Sequence, residues 1–248
     1  MEPAGRVFAR DFSAARHTVD SGDGSYVVTP TGAWCRRLFI VGALTEKKGS
    51  GDVMQARIAD PTGTFRVTAD WQSPDAVETL GYIEPPAFVA VTCRATLTGS
   101  GSRAYGVLDG ETINVVNRTV RDHWVLATAG AMLDRLEALR DGGDERAATA
   151  LRLYGTTDED IRDMAGMVRT ALATVRYIAP GDLEPVIGRD LLLTALGDGG
   201  GARGISLDDA VAAGVRSGLS ARDAKRALEE LIAAGECYLP ASGMIKLI

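Results

Sequence analysis

The chain has 248 residues, 46% of them apolar, enough for a sizeable buried core and closer to two domains than to one. Its 27 lysines and arginines against 33 aspartates and glutamates leave a net charge of −6, which excludes a whole-protein electrostatic clamp on nucleic acid. No apolar run approaches the roughly 18 residues that span a bilayer, residues 1–16 carry charges where a secretory signal would be apolar, and Cys35, Cys93 and Cys237 are too scattered for a disulfide framework or a zinc site, so a soluble cytoplasmic protein with buried thiols and no membrane association is expected.

Residues 1–32 mix Gly, Ser, Asp and Thr around a short apolar patch at Val7, Phe8 and Phe12, and read as a flexible N-terminal arm. From Trp34 the pattern becomes strands. Leu38, Ile40 and Leu44 share one parity, and a second strand over 53–59 runs into Asp60-Pro61-Thr62-Gly63, a turn whose return strand is 64–71. Ser73-Pro74-Asp75 then opens a short helix to residue 80, with serine as N-cap and proline in the first turn. A fourth strand, 87–97, alternates through Val89, Val91, Cys93, Ala95 and Leu97, and a fifth, 104–116, follows a Gly/Ser loop at 98–102. Five strands with one helix between the third and fourth is the order of an OB-fold barrel over 33–118. Charge in this part balances at nine basic and nine acidic residues, whereas 15 basic residues face 20 acidic ones after Arg118.

A helical connector occupies 119–180. In its first helix Val125, Ala129, Met132, Leu136 and Leu139 are spaced four, three, four and three apart, the period of a seam packed against other helices. Asp141-Gly142-Gly143 ends it, a short helix covers 144–154, and Thr156-Thr157-Asp158-Glu159 opens a third with a capping box and an inner stripe of Ile161, Met164, Val168, Leu172 and Val175; Pro180-Gly181 closes the connector. Residues 181–248 then read as helix 189–196, a glycine-rich loop to 204, helix 206–216, helix 220–234 and a hairpin about Ala241-Ser242-Gly243, the order of a C-terminal winged helix. The expected fold class is therefore α+β and multidomain.

The barrel carrying Asp60-Pro-Thr-Gly-Thr-Phe-Arg-Val-Thr-Ala-Asp-Trp71, then a helix, a seam helix and a winged helix, resembles the middle subunit of replication protein A, and more closely the archaeal replication-protein-A-associated family. The likeness spans roughly 34–139 and 191–248 and lies in element order and that one strand motif; the helix over 154–178 has no counterpart. It implies an accessory subunit of a single-stranded DNA-binding complex, associated with the nucleoid and acting in replication, repair or recombination. The barrel would bind single strands, the seam helix would join a larger replication-protein-A-like subunit, and the winged helix would dock repair or replication proteins, with no cofactor.

Under that resemblance Trp71 matches a strand-three tryptophan that stacks a base, although strict alternation would group it with the core-facing Phe65 and Val67. The family's second stacking aromatic falls near Thr98 and is missing, which predicts weak binding by this chain alone. Arg57, Arg66, Lys47, Lys48 and Arg103 sit on or beside the expected binding face as phosphate contacts or as ordinary solvated charges, with Phe88 and Arg94 as weaker candidates on strand four. Val125, Met132, Leu136 and Leu139 would form the partner-binding seam, unless the following helices cover them. The other reading is a transcriptional regulator whose winged helix reads duplex DNA through Arg222, Lys225 and Arg226, which also form opposite-charge pairs with Glu229 and Glu230 on one helix face. Catalysis is not expected. His17 and His123 lack metal-ligand neighbours, no phosphate-binding loop occurs, and Asp60, Asp70 and Asp109 stand at strand ends.

Overall fold

The computed structural model describes residues 4–22, 24–176, 192–193, 196–197, 204–240 and 243–247. Strands β4 (Arg37–Ser50), β5 (Val53–Ala59), β6 (Thr64–Ala69), β7 (Ala87–Thr98) and β8 (Tyr105–Val115) close into a barrel of order β4-β5-β6-β8-β7, in which β6 and β8 run parallel and the other pairs antiparallel. With helix α2 (Pro74–Tyr82) between the third and fourth barrel strands, this is an OB-fold. The long β4 serves both sides: residues 37–44 pair with β7 and residues 43–50 with β5, with a register shift between Leu44 and Glu46. Gly42 lies at the change of partner, where a Cβ would stand 2.4 Å from the Ala59 carbonyl oxygen, so only glycine lets the two backbones come this close. Inside, Leu38, Ile40, Leu44, Ile58, Val67, Val89, Val91 and Leu108 are all buried, following the period-two pattern of the sequence.

The N-terminal segment read as a loose arm is packed. Helix α1 (Ala9–Ser13) is followed by β1 (His17–Ser21), β2 (Gly24–Val28) and β3 (Trp34–Cys35), a three-stranded antiparallel sheet. Phe8 and Phe12 are buried: Phe8 meets Trp124 edge-on at 5.8 Å, and Phe12 packs over Gly106 of β8, where a Cβ would fall 2.5 Å from the ring. The Asp60–Gly63 turn ties this segment down, because the Asp60 carboxylate accepts from Ala9 N (2.7 Å) while also bracing Thr62 and Gly63. Together with Val7, Tyr26, Val27 and Val28, which are also buried, the two phenylalanines supply the apolar area that holds the segment down.

Helix α3 (Arg118–Asp141), capped by Asn117 and closed by Gly142 at φ 69°, leads to α4 (Glu145–Tyr154) and α5 (Asp158–Leu172). The capping box of α5 forms between Thr157 and Asp160. Helix α3 packs against α4, α5, β4 and β7, and Val125, Met132, Leu136 and Leu139 are at most 4% exposed. The seam is therefore internal core. The following two helices and the barrel cover the stripe that was expected to dock a partner, so these four residues are not available as a partner-binding site.

Beyond 176, the expected closing Pro180-Gly181 and most of the 189–196 helix and 198–204 loop lie outside the described residues. Within them, Leu192 and Leu196 are helical and buried. Strand β9 (Ile205–Ser206), helices α6 (Leu207–Arg216) and α7 (Ala221–Ala233), and strands β10 (Cys237–Tyr238) and β11 (Met244–Leu247) follow, with Ser206 and Ser220 capping the helices and a small sheet of order β10-β11-β9. This unit is fastened to the barrel. Ala221 N donates to Thr79 Oγ1 (2.9 Å), Arg222 N donates to Asp75 Oδ1 (3.0 Å), Lys225 pairs with Glu78, and Asn114 Nδ2 donates to the Gly218 carbonyl (3.3 Å). The first-turn N–H groups of α7, which have no partner within their own helix, thus find acceptors on α2, and the carboxylates of α2 suit the positive end of α7. Among the described residues no helix is long and apolar enough to cross a membrane.

Candidate nucleic-acid interface

Alternation along β5 buries Met54, Ala56 and Ile58 and turns Val53, Gln55 and Arg57 outward; on β6 it buries Phe65, Val67 and Ala69 and turns Thr64, Arg66 and Thr68 outward. Register then assembles rows across the sheet. Glu46 of β4 stands opposite Arg57, and Arg57 opposite Arg66; in the next row Lys48 stands opposite Gln55, and Gln55 opposite Thr68. With Tyr105 and Val107 of β8 they line an open groove of about 570 Å³ on the outer face of the barrel.

The electrostatics of this groove follow from the pairing. Two arginines directly opposite each other repel, a cost that a nearby anion offsets. Glu46 supplies part of that, 2.7 Å from Lys48 Nζ and 3.3 Å from Arg57 Nη1, and the hydrogen bond from Lys48, aided by Arg57, holds its carboxyl below the usual carboxylate range. Arg66 forms no ion pair among the described residues. Three cations over one carboxylate leave the groove positive on a protein that is negative as a whole.

One aromatic ring, Tyr105, lines it, and a second, Trp71, follows three residues after the lining Thr68. Trp71 is 70% exposed: β6 ends at Ala69, and a turn in which Asp70 accepts from Gln72 N and Ser73 N takes Trp71 out of the alternation that would have put it inside. It lies just past the lining residues, at the β6 end. Tyr105, 56% exposed, is the aromatic that sequence reasoning missed. It pairs with Thr98 across the β7–β8 loop, close to where the resemblance placed a second ring and found none. Its parity with Val107 and Asp109 was a readable signal.

The structure removes four of the expected residues from this face. Lys47 has the opposite parity to Lys48 and caps α2: its Nζ donates to the carbonyls of Gly81 (2.8 Å) and Leu80 (3.4 Å) and pairs with Glu84. Phe88 is half-buried opposite Ala43, ten residues along β7 from Thr98, about 33 Å at the rise of an extended strand. Arg94 is exposed on β7 between Arg37 and Asp109, outside the groove lining. Arg103 is exposed in the short 3₁₀ turn of the β7–β8 loop, two residues before Tyr105, and does not line the groove.

No family model matches the chain, and no curated protein matches it. Solved structures do. A replication protein A heterotrimer bound to ssDNA is 13% identical over 48% of this chain and 88% of that one, with a TM-score of 0.36. The Stn1–Ten1 complex of S. pombe is 12% identical over 52% and 90%, with a TM-score of 0.42. The S. cerevisiae mitochondrial single-stranded DNA-binding protein Rim1 is 19% identical over 33% and 94%, with a TM-score of 0.29. At these values the fold rests on the strand order and pairing of the barrel itself.

Proposed function

We propose that this chain is a non-catalytic single-stranded DNA-binding protein that holds the strand in the β4–β5–β6–β8 groove. The observation that carries the reading is the facing pair Arg57 and Arg66, with Lys48 beside them and the exposed rings of Tyr105 and Trp71 at the margins. Spaced cations neutralise successive phosphates with counterion release, while exposed rings stack bases without regard to sequence. With two rings and a modest positive charge the groove binds weakly, which suits an accessory subunit working beside a larger replication-protein-A-like subunit in DNA replication or repair. The C-terminal unit, read as a winged helix, serves in this proposal as a platform for protein partners.

The duplex-reading alternative is less well supported, because the start of α7 abuts α2. Phosphates approaching Arg222 and Lys225 would meet Asp75 and Glu78. The test is fluorescence anisotropy with labelled oligothymidylate and a labelled hairpin duplex. Arg57→Glu with Arg66→Glu is expected to abolish single-strand binding while circular dichroism stays native. Duplex binding that outcompetes single strands and survives the double change would overturn the proposal.

A further inference from the structure

A second cluster of basic residues lies away from the groove, by residues 37–39 of β4, some nine residues back from Glu46 and on the order of 30 Å at the rise of a strand. There Arg6, Trp34, Arg135 and Arg146 line a cavity of about 260 Å³ between the N-terminal segment, α3 and α4. Two of the lining side chains carry a buried donor with no acceptor among the described residues, Trp34 Nε1 and Arg135 Nη2. Arg135 Nε donates to Thr31 Oγ1, but Nη2 stands 3.9 Å from Asp11 Oδ2, close enough for attraction and too far for a hydrogen bond. Buried donors are almost always satisfied, and both orphans belong to side chains that line this cavity.

The other two guanidinium groups are held by rings instead of carboxylates. Arg146 lies over the Trp34 ring at 5.3 Å and Arg6 over Phe39 at 5.5 Å, and neither forms an ion pair or a side-chain hydrogen bond among the described residues. Stacking fixes a guanidinium without using its N–H groups, which remain free to bind an anion. The one carboxylate in the lining, Asp144, already accepts from Ala147 N at 2.7 Å, and Asp11 sits behind Arg135. Three guanidinium groups and an indole N–H offer more N–H donors than the roughly four lone-pair sites of a carboxylate can accept, which suits the oxygens of a phosphate. We infer that this cavity is a phosphate site, taking inorganic phosphate or the terminal phosphoryl group of a larger molecule, separate from the groove.

Isothermal titration of the full chain with sodium phosphate, against sodium chloride at matched ionic strength, tests it, with a nucleoside monophosphate and a 5′-phosphorylated dinucleotide as parallel arms. Saturable binding in any arm is expected, and the tightest arm tells free phosphate from a phosphoryl group on a larger molecule. Trp34→Phe keeps the ring under Arg146 and removes only the donor; it and Arg146→Gln should each weaken binding by about tenfold, the worth of a charge-assisted hydrogen bond, with native circular dichroism. Arg66→Ala should leave phosphate binding unchanged, and Trp34→Phe should leave oligothymidylate binding unchanged. No saturable binding in any arm, or both cavity variants binding as wild type, or loss of phosphate binding on Arg66→Ala, would overturn the inference.

Discussion

Tyr105 gives the sharpest check on the groove, because in the proposed binding mode its ring contributes to binding and very little to the fold. It is 56% exposed at the first position of β8, and its ring meets no other aromatic ring and no guanidinium among the described residues. Truncation to alanine should therefore change unfolding free energy by no more than about 0.5 kcal/mol, the usual range for a surface substitution. If the ring stacks one base, the same change removes about 1 to 3 kcal/mol of binding, which weakens the dissociation constant by about 5- to 150-fold. Stacking involves no phosphate, so the salt dependence should not move. Arg66→Ala behaves differently: losing one phosphate contact reduces the slope of log affinity against log salt by about 0.7. Anisotropy titration with oligothymidylate at several salt concentrations reads both quantities at once. Wild-type affinity for Tyr105→Ala, or a shallower salt slope with that variant, would show that the ring does not stack and that the strand takes another path.

The adjacent lysines should separate cleanly. Lys47→Ala is expected to lower stability by about 1 kcal/mol, through loss of its bonds to the end of α2, and to leave DNA affinity unchanged, while Lys48→Ala lowers affinity and leaves the melting temperature alone. Leu136→Ala, in the interior seam, should cost about 2 to 5 kcal/mol in urea unfolding, and a native-like midpoint with loss of a copurifying partner would restore the docking reading. Glu46 has a lowered carboxyl pKa, so its hold on Lys48 and Arg57 is complete above the ordinary carboxylate range and is lost only as pH falls through the depressed value; oligothymidylate affinity should therefore carry no Glu46 contribution to pH dependence between pH 7 and pH 5. At pH 7 Glu46→Gln should tighten binding about two- to fivefold by leaving one more net positive charge in the groove, and unchanged affinity would mean that Glu46 does not compete with the phosphates.

The barrel was legible in the chain because local rules suffice for it. Period-two alternation through Val89, Val91 and Cys93, the Asp60-Pro61-Thr62-Gly63 turn and the serine before Pro74 each specify an element without reference to anything distant, and five such elements in that order admit few topologies. The helix caps at Thr157, Ser206 and Ser220 formed for the same reason. Parity also separates Lys48 from Lys47 and turns Tyr105 outward, so part of the groove is present in the pattern of the chain itself.

What no local rule contains is which surfaces meet. The four-three spacing of Val125, Met132, Leu136 and Leu139 states that one face of the helix must leave water, and it is equally satisfied by another subunit or by α4 and α5. Phe8 and Phe12 read as a short apolar patch in a loose arm because their partners, Trp124 and Gly106, lie about a hundred positions away. Trp71 became exposed through a turn two residues past its strand, and the seating of α7 on Asp75, Glu78 and Thr79 joined segments some 140 residues apart. Burial and hydrogen bonding are satisfied by whichever partner the closed chain brings near, so the hydrophobic pattern set how much surface each element had to hide, and the packing of the whole chain chose what hid it.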